Sequence, residues 1–404
     1  MLTTAIEIYS CENGTVRNCM CTEYTWAGIE IYYSNNDSFF DNDCTGKGYG
    51  IWLYFSNNIT LTDNNCSSNS WSGISGVAYD SSVINNTCSF NDGFGITLGN
   101  SYNNSLTNNN CSSNGADGIS FRSSSIYNLS NNTCSSDNYS GIRLYYSDNN
   151  NLIGNNCSSN DGYGINLTSS HRNNLTSNNC SSNNMSGIDA SGVYLTSYSG
   201  SNRLINNTCS SNNGSGIGDC FSFNDDIINN TCSSNKYDGI GGFIFSDHIN
   251  VTNNTCLNNG QGMSFYSGQY YMIQSNRIVN NTGWGIYLLV FSECHHMVWN
   301  NTFIGNNGAN ETYDPGHLQA YSMGSYSWNS PDGYGNYWSD WTGPDSNRDG
   351  IVDAPYVLGG GGVDSYPRTT TPSEPIPEFG MMPFVVMVFL VAILLAIGAR
   401  RRKA

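Results

Sequence analysis

Three observations predict an all-β chain wound as a right-handed, single-stranded parallel β-helix. Eleven cysteines, Cys21, Cys44, Cys66, Cys88, Cys111, Cys134, Cys157, Cys180, Cys209, Cys232 and Cys256, recur at steps of 22 to 24 residues, with a single step of 29. A Gly-Ile step follows about seven residues after each, from Gly28-Ile29 to Gly239-Ile240, with Gly262-Met263 as a variant and Gly285-Ile286 as the last. Between these marks apolar and polar residues alternate, as in Ile142-Arg143-Leu144, and no stretch before residue 380 keeps a 3.6-residue apolar period. A unit this short cannot close its own core, so it must stack on its neighbours. About twelve such coils, spaced ~4.8 Å, would make a rod roughly 58 Å long. A leucine-rich repeat has a similar period, but Cys-Ser-Ser-Asn and Gly offer nothing for the helical side of that unit.

Within each coil the residue types have distinct expected roles. The Asn two before each ladder cysteine, from Asn42 to Asn254 with Cys19 as the one exception, should occupy a bend, tolerate left-handed backbone and bond its amide to the Asn of the next coil. The cysteine should point inward as a small apolar residue. A disulfide along the ladder is doubtful, because in-register Cβ atoms lie ~4.8 Å apart where a bond wants ~3.8 Å. Cys11, Cys19, Cys220 and Cys294 fall off the ladder and are better candidates for individual pairing.

The repeats occupy residues 1–307. The chain opens inside a coil, at Ile6-Glu7-Ile8, which suggests that an N-terminal cap and export signal precede this start. Residues 308–366 change composition and are expected to cap the far end, with the aromatic-rich stretch from Pro331 to Trp341 closing the core. A Pro/Thr/Ser linker follows over 367–380. Residues 381–399 are uncharged and long enough for one transmembrane helix, and the Arg400-Arg401-Arg402-Lys403 run places the tail 400–404 in the cytoplasm. The body is therefore expected on the extracellular face of the cell membrane.

Charge excludes one large class of partner. The net charge is −17, and without the terminal basic run the remainder stands at −21. Nucleic acid is not an expected partner, because no cluster of Lys and Arg is present to neutralise phosphates. Disorder is excluded too, since 38% hydrophobic and 13% aromatic residues are too many for a solvated coil.

The Asn-x-Cys and Gly-Ile units, together with Gly335-Asn336-Tyr337-Trp338-Ser339-Asp340 through Asp353, resemble the NosD-like family of parallel β-helix repeat proteins, especially archaeal surface members. The ending Ile376-Pro377-Glu378-Phe379, apolar span and basic run are similar to archaeosortase-type sorting signals, which implies that the span is exchanged for a lipid anchor. The resemblance implies copper handling or carbohydrate binding and cleavage, neither of which follows from the fold.

Candidate sites are few. Sugar-cleaving β-helices need carboxylates gathered on one outer face. Asp225-Asp226 is the one paired-carboxylate candidate in the repeats, and it lacks Gly-His-Gly and Arg-x-Lys companions, so the chain leans away from being an enzyme. Asp345, Asn347, Asp349 and Asp353 hold positions 1, 3, 5 and 9 of a loop with Gly350 at position 6, which is calcium-binding spacing. The carbonyl of Ile351 would be a further ligand, and Tyr356 replaces the closing Glu of a full EF-hand. Cys294-His295-His296-Met297 offers copper-type donors, but adjacent side chains on a strand face opposite ways, so copper is not expected. Exposed Tyr32, Trp52, Tyr54, Tyr145 and Tyr287 are suited to stacking on sugar rings. Asn-x-Ser/Thr sequons, including Asn13, Asn58, Asn166, Asn250 and Asn310, point to glycosylation wherever they face outward. The expected function is a membrane-anchored surface rod with a structural or adhesive role, its partners being envelope glycans or surface proteins. A polysaccharide hydrolase or lyase and a copper-handling accessory are the alternatives.

Overall fold

The computed structural model describes residues 2–191, 198–289, 295–323 and 326–372. Met1–Thr370 form one compact unit and Thr371–Ala404 a second. The expected transmembrane stretch 381–399 lies outside the described residues, and among the described residues no helix is long and apolar enough to cross a membrane.

The first unit is a parallel β-helix. Its widest sheet, called the first sheet, stacks fourteen strands, starting with Leu2–Tyr9 and Tyr24–Tyr32, continuing through the Gly-Ile strands and ending at Ala320–Met323. Fourteen rungs make thirteen turns, one more than the period predicts. The second sheet has thirteen strands, from Thr15–Arg17 to Met297–Trp299. The third carries the cysteines, as single bridges in the early coils and as strands from Thr208–Ser210 to Tyr337–Trp338. A short fourth sheet runs from Ser199–Gly200 to Gly268–Gln269. A 3₁₀ turn at Asn306–Gly308 is the one helical element among the described residues.

The extra turn comes from the region expected to be a cap. Ala320–Met323 pairs in register with Ile286–Leu289, and Tyr337–Trp338 pairs with Thr302–Ile304. Trp338 thus continues the cysteine column through Ile278 and Phe303. It stacks on Phe303 at 4.2 Å and on Tyr356 at 4.1 Å, so large rings replace thiols where the core ends. The antiparallel pair Tyr356–Val357 and Val363–Asp364 lies over this end.

The eleven ladder cysteines are all buried free thiols, as their small size and apolar partners in the coil dictate. Cys11, Cys19 and Cys220 are free and partly exposed, and Cys294 lies outside the described residues. The asparagine ladder runs from Asn42 to Asn336. At each step a side-chain oxygen accepts both the backbone N–H and the Nδ2 of the preceding coil's Asn, for example Asn132 Oδ1 from Asn109 N and Nδ2, each at 3.0 Å. The left-handed residue at this bend is the one before the ladder Asn, as at Asp41, Asp63, Asn85, Asn108 and Asn131. The ladder Asn itself points in, where its amide closes the backbone ends of two strands.

Two further ladders turn the other corners. One runs through Asn69, Asn91, Asn114, Asp137, Asn160, Asn183, Asn212, Asn235, Asn259, Asn281 and Asn306. The other includes Asn150, Asn173, Asn202 and Asp225. The repeated Gly before Ile needs no left-handed backbone. A Cβ on Gly95 would stand 2.5 Å from the Gly118 carbonyl oxygen and 2.8 Å from Cys111 Cβ, so glycine is required by the approach of the next coil.

Candidate functional site

The outer face of the first sheet carries the densest exposed chemistry. Its outward column begins one coil before Glu30, because Glu7 pairs with Glu30 and Glu30 with Trp52. Trp52 belongs to a cluster of four rings drawn from three successive coils. Tyr49 lies 4.6 Å from Trp52 and 4.9 Å from Trp71, and Trp26 lies 5.1 Å from Trp71 and 6.0 Å from Trp52. Trp26 and Trp71 remain 38% and 39% exposed, so indole surface faces solvent even though the rings support one another. Beside them Tyr9 stacks on Tyr32 at 4.5 Å and Tyr32 tilts against Tyr54 at 5.5 Å. Glu30 is buried at the edge of this shelf, accepting Thr4 Oγ1 at 2.9 Å and Tyr32 Oη at 3.3 Å, while Glu7 is exposed.

The sequence-predicted residues are distributed differently. Asp225 is buried in the third ladder, where its Oδ1 accepts the Asn202 backbone N–H at 2.7 Å. Asp226 faces outward and pairs with Arg203 at 3.5 Å. The two carboxylates therefore look to opposite sides of one strand and do not form a paired catalytic face. Asn166 is buried, donating to Asp189 Oδ2 at 3.1 Å, which removes that sequon from glycosylation.

In the loop 345–353, Asp345 accepts the backbone N–H groups of Asp349 and Gly350 at 3.2 and 3.0 Å. Asn347 Oδ1 accepts the Asp349 N–H at 3.1 Å, and Gly350 turns the chain with φ 87°. Asp353 is engaged elsewhere, by the Ser346 N–H and Oγ. Among the described residues no three carboxylate, imidazole or thiol groups converge as a metal site.

Of the copper-type donors, His295 is exposed and stacks on Tyr270 at 5.4 Å. His296 is buried, its ring 4.5 Å from Tyr271 and its Nδ1 accepting the Tyr271 N–H at 3.1 Å. Burial and the neighbouring His295 push the His296 imidazole down to about 4. Met297 is partly exposed on the second sheet. The buried His296 thus lies apart from the exposed His295 and the partly exposed Met297.

The family profile described as periplasmic copper-binding protein (NosD) matches residues 77–215 and 189–343, and that of the right-handed β-helix region matches residues 2–79. No curated protein matches the sequence. Among solved structures the fold is similar to the mannuronan C-5 epimerase A-module of Azotobacter vinelandii, at 13% identity over 79% of this chain and 91% of that one, with TM-score 0.49. It is similar to the catalytic unit of a GH87 α-1,3-glucanase from Streptomyces thermodiastaticus, at 12% identity over 79% and 64% of the two chains, with TM-score 0.47. It is also similar to a mutant of the periplasmic alginate epimerase AlgG, at 16% identity and TM-score 0.41, covering 50% of this chain and spanning only 60% of that one.

Proposed function

The chain belongs to the NosD family of right-handed β-helix proteins, and from that premise we propose that it is a cell-surface rod which binds glycans along the outer face of its first sheet. The observation that supports this reading is the shelf of Trp26, Tyr49, Trp52 and Trp71, whose partly exposed rings span three coils on one face. Pyranose rings present apolar C–H faces that stack on such rings, and the acidic body would select neutral sugars over polyanions. Anchoring is proposed on the uncharged stretch 381–399 and the basic run after it, which would hold the rod outside the membrane. A structural Ca²⁺ is proposed at Asp345, Asn347, Asp349, Asp353 and the Ile351 carbonyl, on the spacing of those residues.

A glycan array with the full chain tests the binding reading. Retention of neutral glycans that falls at least tenfold in Trp26→Ala plus Trp71→Ala is expected, and unchanged retention would withdraw the shelf. One observation favours a second reading. Glu7 and Glu30 are register partners on adjacent strands beside the shelf, which puts two carboxylates on one face, and a carboxyl pair on one face is what glycosidic cleavage requires. Release of reducing sugar ends that disappears in Glu30→Gln would replace adhesion with hydrolysis. Membrane fractionation of the full chain checks the anchor, and recovery in the soluble fraction would remove it.

A further inference from the structure

One level of the hydrophobic core is not hydrophobic. In the first sheet the inward column two residues after the repeated Gly-Ile glycine's neighbour reads Leu98, Phe121, Leu144 and Leu167, in register on successive strands. The next two rungs place Ala190 and then Asp219 in that column, since Asp189 pairs with Gly218 and the Ala190 N–H reaches the Gly218 carbonyl. Beyond Asp219 the chain passes a left-handed glycine, Gly242 at φ 83°, before Phe243 resumes the apolar column. Large side chains are thus replaced on three successive rungs by a methyl group, a carboxylate and a glycine.

The carboxylate is not alone. Asp219 and Asp225 are 0% and 1% exposed, and Asp219 Oδ1, Asp219 Oδ2 and Asp225 Oδ2 are buried without a hydrogen-bond donor. Asp219, Ser222 and Asp225 follow one another at three-residue steps in a single coil and all three are buried. Burial and the charge of Asp225 push the Asp219 carboxyl well up, and burial raises that of Asp225 to about 7. The buried hydroxyl of Ser222 sits beside both, its Oγ 3.4 Å from Ser246 Oγ. Neither carboxylate forms a salt bridge among the described residues, where the nearby pair Arg203–Asp226 lies on the surface. Two carboxyl groups enclosed in this way need either a shared proton or a cation between them.

We propose that Asp219, Asp225 and Ser222 hold a divalent hard cation of the calcium type inside the rod, where Ala190, Asp219 and Gly242 interrupt the column of large apolar residues. All the offered atoms are oxygens, which selects Ca²⁺ or Mg²⁺ over thiophilic metals, and the two carboxylates balance a charge of +2. The ion would tie the first sheet to the third asparagine-type ladder in the coil that follows the repeat's one long step, Cys180 to Cys209.

Thermal melting of the full chain, carrying Asp345→Asn and Asp349→Asn to silence the surface loop, tests this at pH 7.5 in chelator and in millimolar CaCl₂, with MgCl₂ as a second arm. The expected result is a rise in Tm of about 2–4 °C with one of the ions. Asp219→Leu, which restores the column's usual residue, should abolish that rise while keeping the β far-ultraviolet spectrum, and Asp225→Asn should reduce it. Two results would overturn the assignment: no ion-dependent rise in the loop-silenced parent, or an equal rise in Asp219→Leu. A Tm that climbs between pH 7 and pH 5 without responding to either ion would show a shared proton in place of the cation, and overturns it equally.

Discussion

Ile126 holds a left-handed backbone at φ 64° with its side chain 53% exposed. The same corner in other coils carries Asn36, Asn58, Asp80, Asn103 and Asn149, which adopt that conformation with less strain. Ile126→Asn should therefore stabilise the chain by about 1 kcal/mol, measured as a shift in denaturant midpoint at unchanged slope. Asp137 is the odd member of an asparagine ladder. Its Oδ1 accepts the Asn114 N–H and Nδ2 at 2.8 and 3.0 Å, but its buried Oδ2 has no donor where an Asn would donate to the next coil. Burial pushes its carboxyl up to about 8, against ~4 in an unfolded chain. A raised acid binds its proton more tightly when folded, so its contribution is most favourable below pH ~4 and is lost as pH rises from there through 8. Asp137→Asn should stabilise by roughly 1–3 kcal/mol at pH 8 and flatten stability over that window, which melts at pH 5 and pH 8 would show. His296 acts in the opposite direction. Its depressed value keeps it neutral when folded, so stability present above pH ~6.5 is lost as pH falls toward 4.

At the scale of the coil, the turns hold the strands in register. Asn132 accepts from Asn109 N and Nδ2, and donates through Nδ2 to the Leu106 carbonyl at 2.9 Å and to Asn155 Oδ1 at 3.0 Å. Asn132→Ala leaves several enclosed polar groups in two coils unsatisfied, with an expected cost of about 2–4 kcal/mol in chemical denaturation. A loss below 0.5 kcal/mol would show that the ladder is dispensable. The ladder of Asn42 to Asn254 was legible from its fixed place two residues before cysteine. The second ladder is equally periodic, three residues after each cysteine in the phrase Cys-Ser-Ser-Asn, but nothing in composition separates an inward Asn from a solvated one. The aromatic shelf was visible only at Trp52. Trp26 and Tyr49 flank the repeated glycine, and the direction of flanking residues depends on how the corner enters the strand.

Over the whole unit the core is a one-dimensional stack closed at its far end by rings, and its thiols are inaccessible for that reason. Native alkylation followed by mass spectrometry should label Cys19 first. Cys220 should react slowly, since burial raises its thiol to about 11 and its Sγ meets the Gly242 carbonyl. The eleven column cysteines should react only after unfolding. Rapid native labelling of Cys134 or Cys157 would mean that the stack opens locally, as separate coils can when only nearest neighbours hold them.

Periodicity alone determined the fold class, the inward cysteine column and the first asparagine ladder, because a stacked repeat must present the same residue type to the same environment at every turn. The change in composition near residue 308 suggested a cap, whereas tertiary pairing makes that segment one more rung, with Trp338 in the place of a thiol. Pairing between coils alone decided which carboxylates meet. Asp225 and Asp226 are adjacent in the chain yet face opposite ways, while Glu7 and Glu30, or Asp219 and Asp225, are brought together by strand register and by an inward turn. The physical reason is that neighbours along a strand diverge, whereas neighbours across a parallel sheet point the same way.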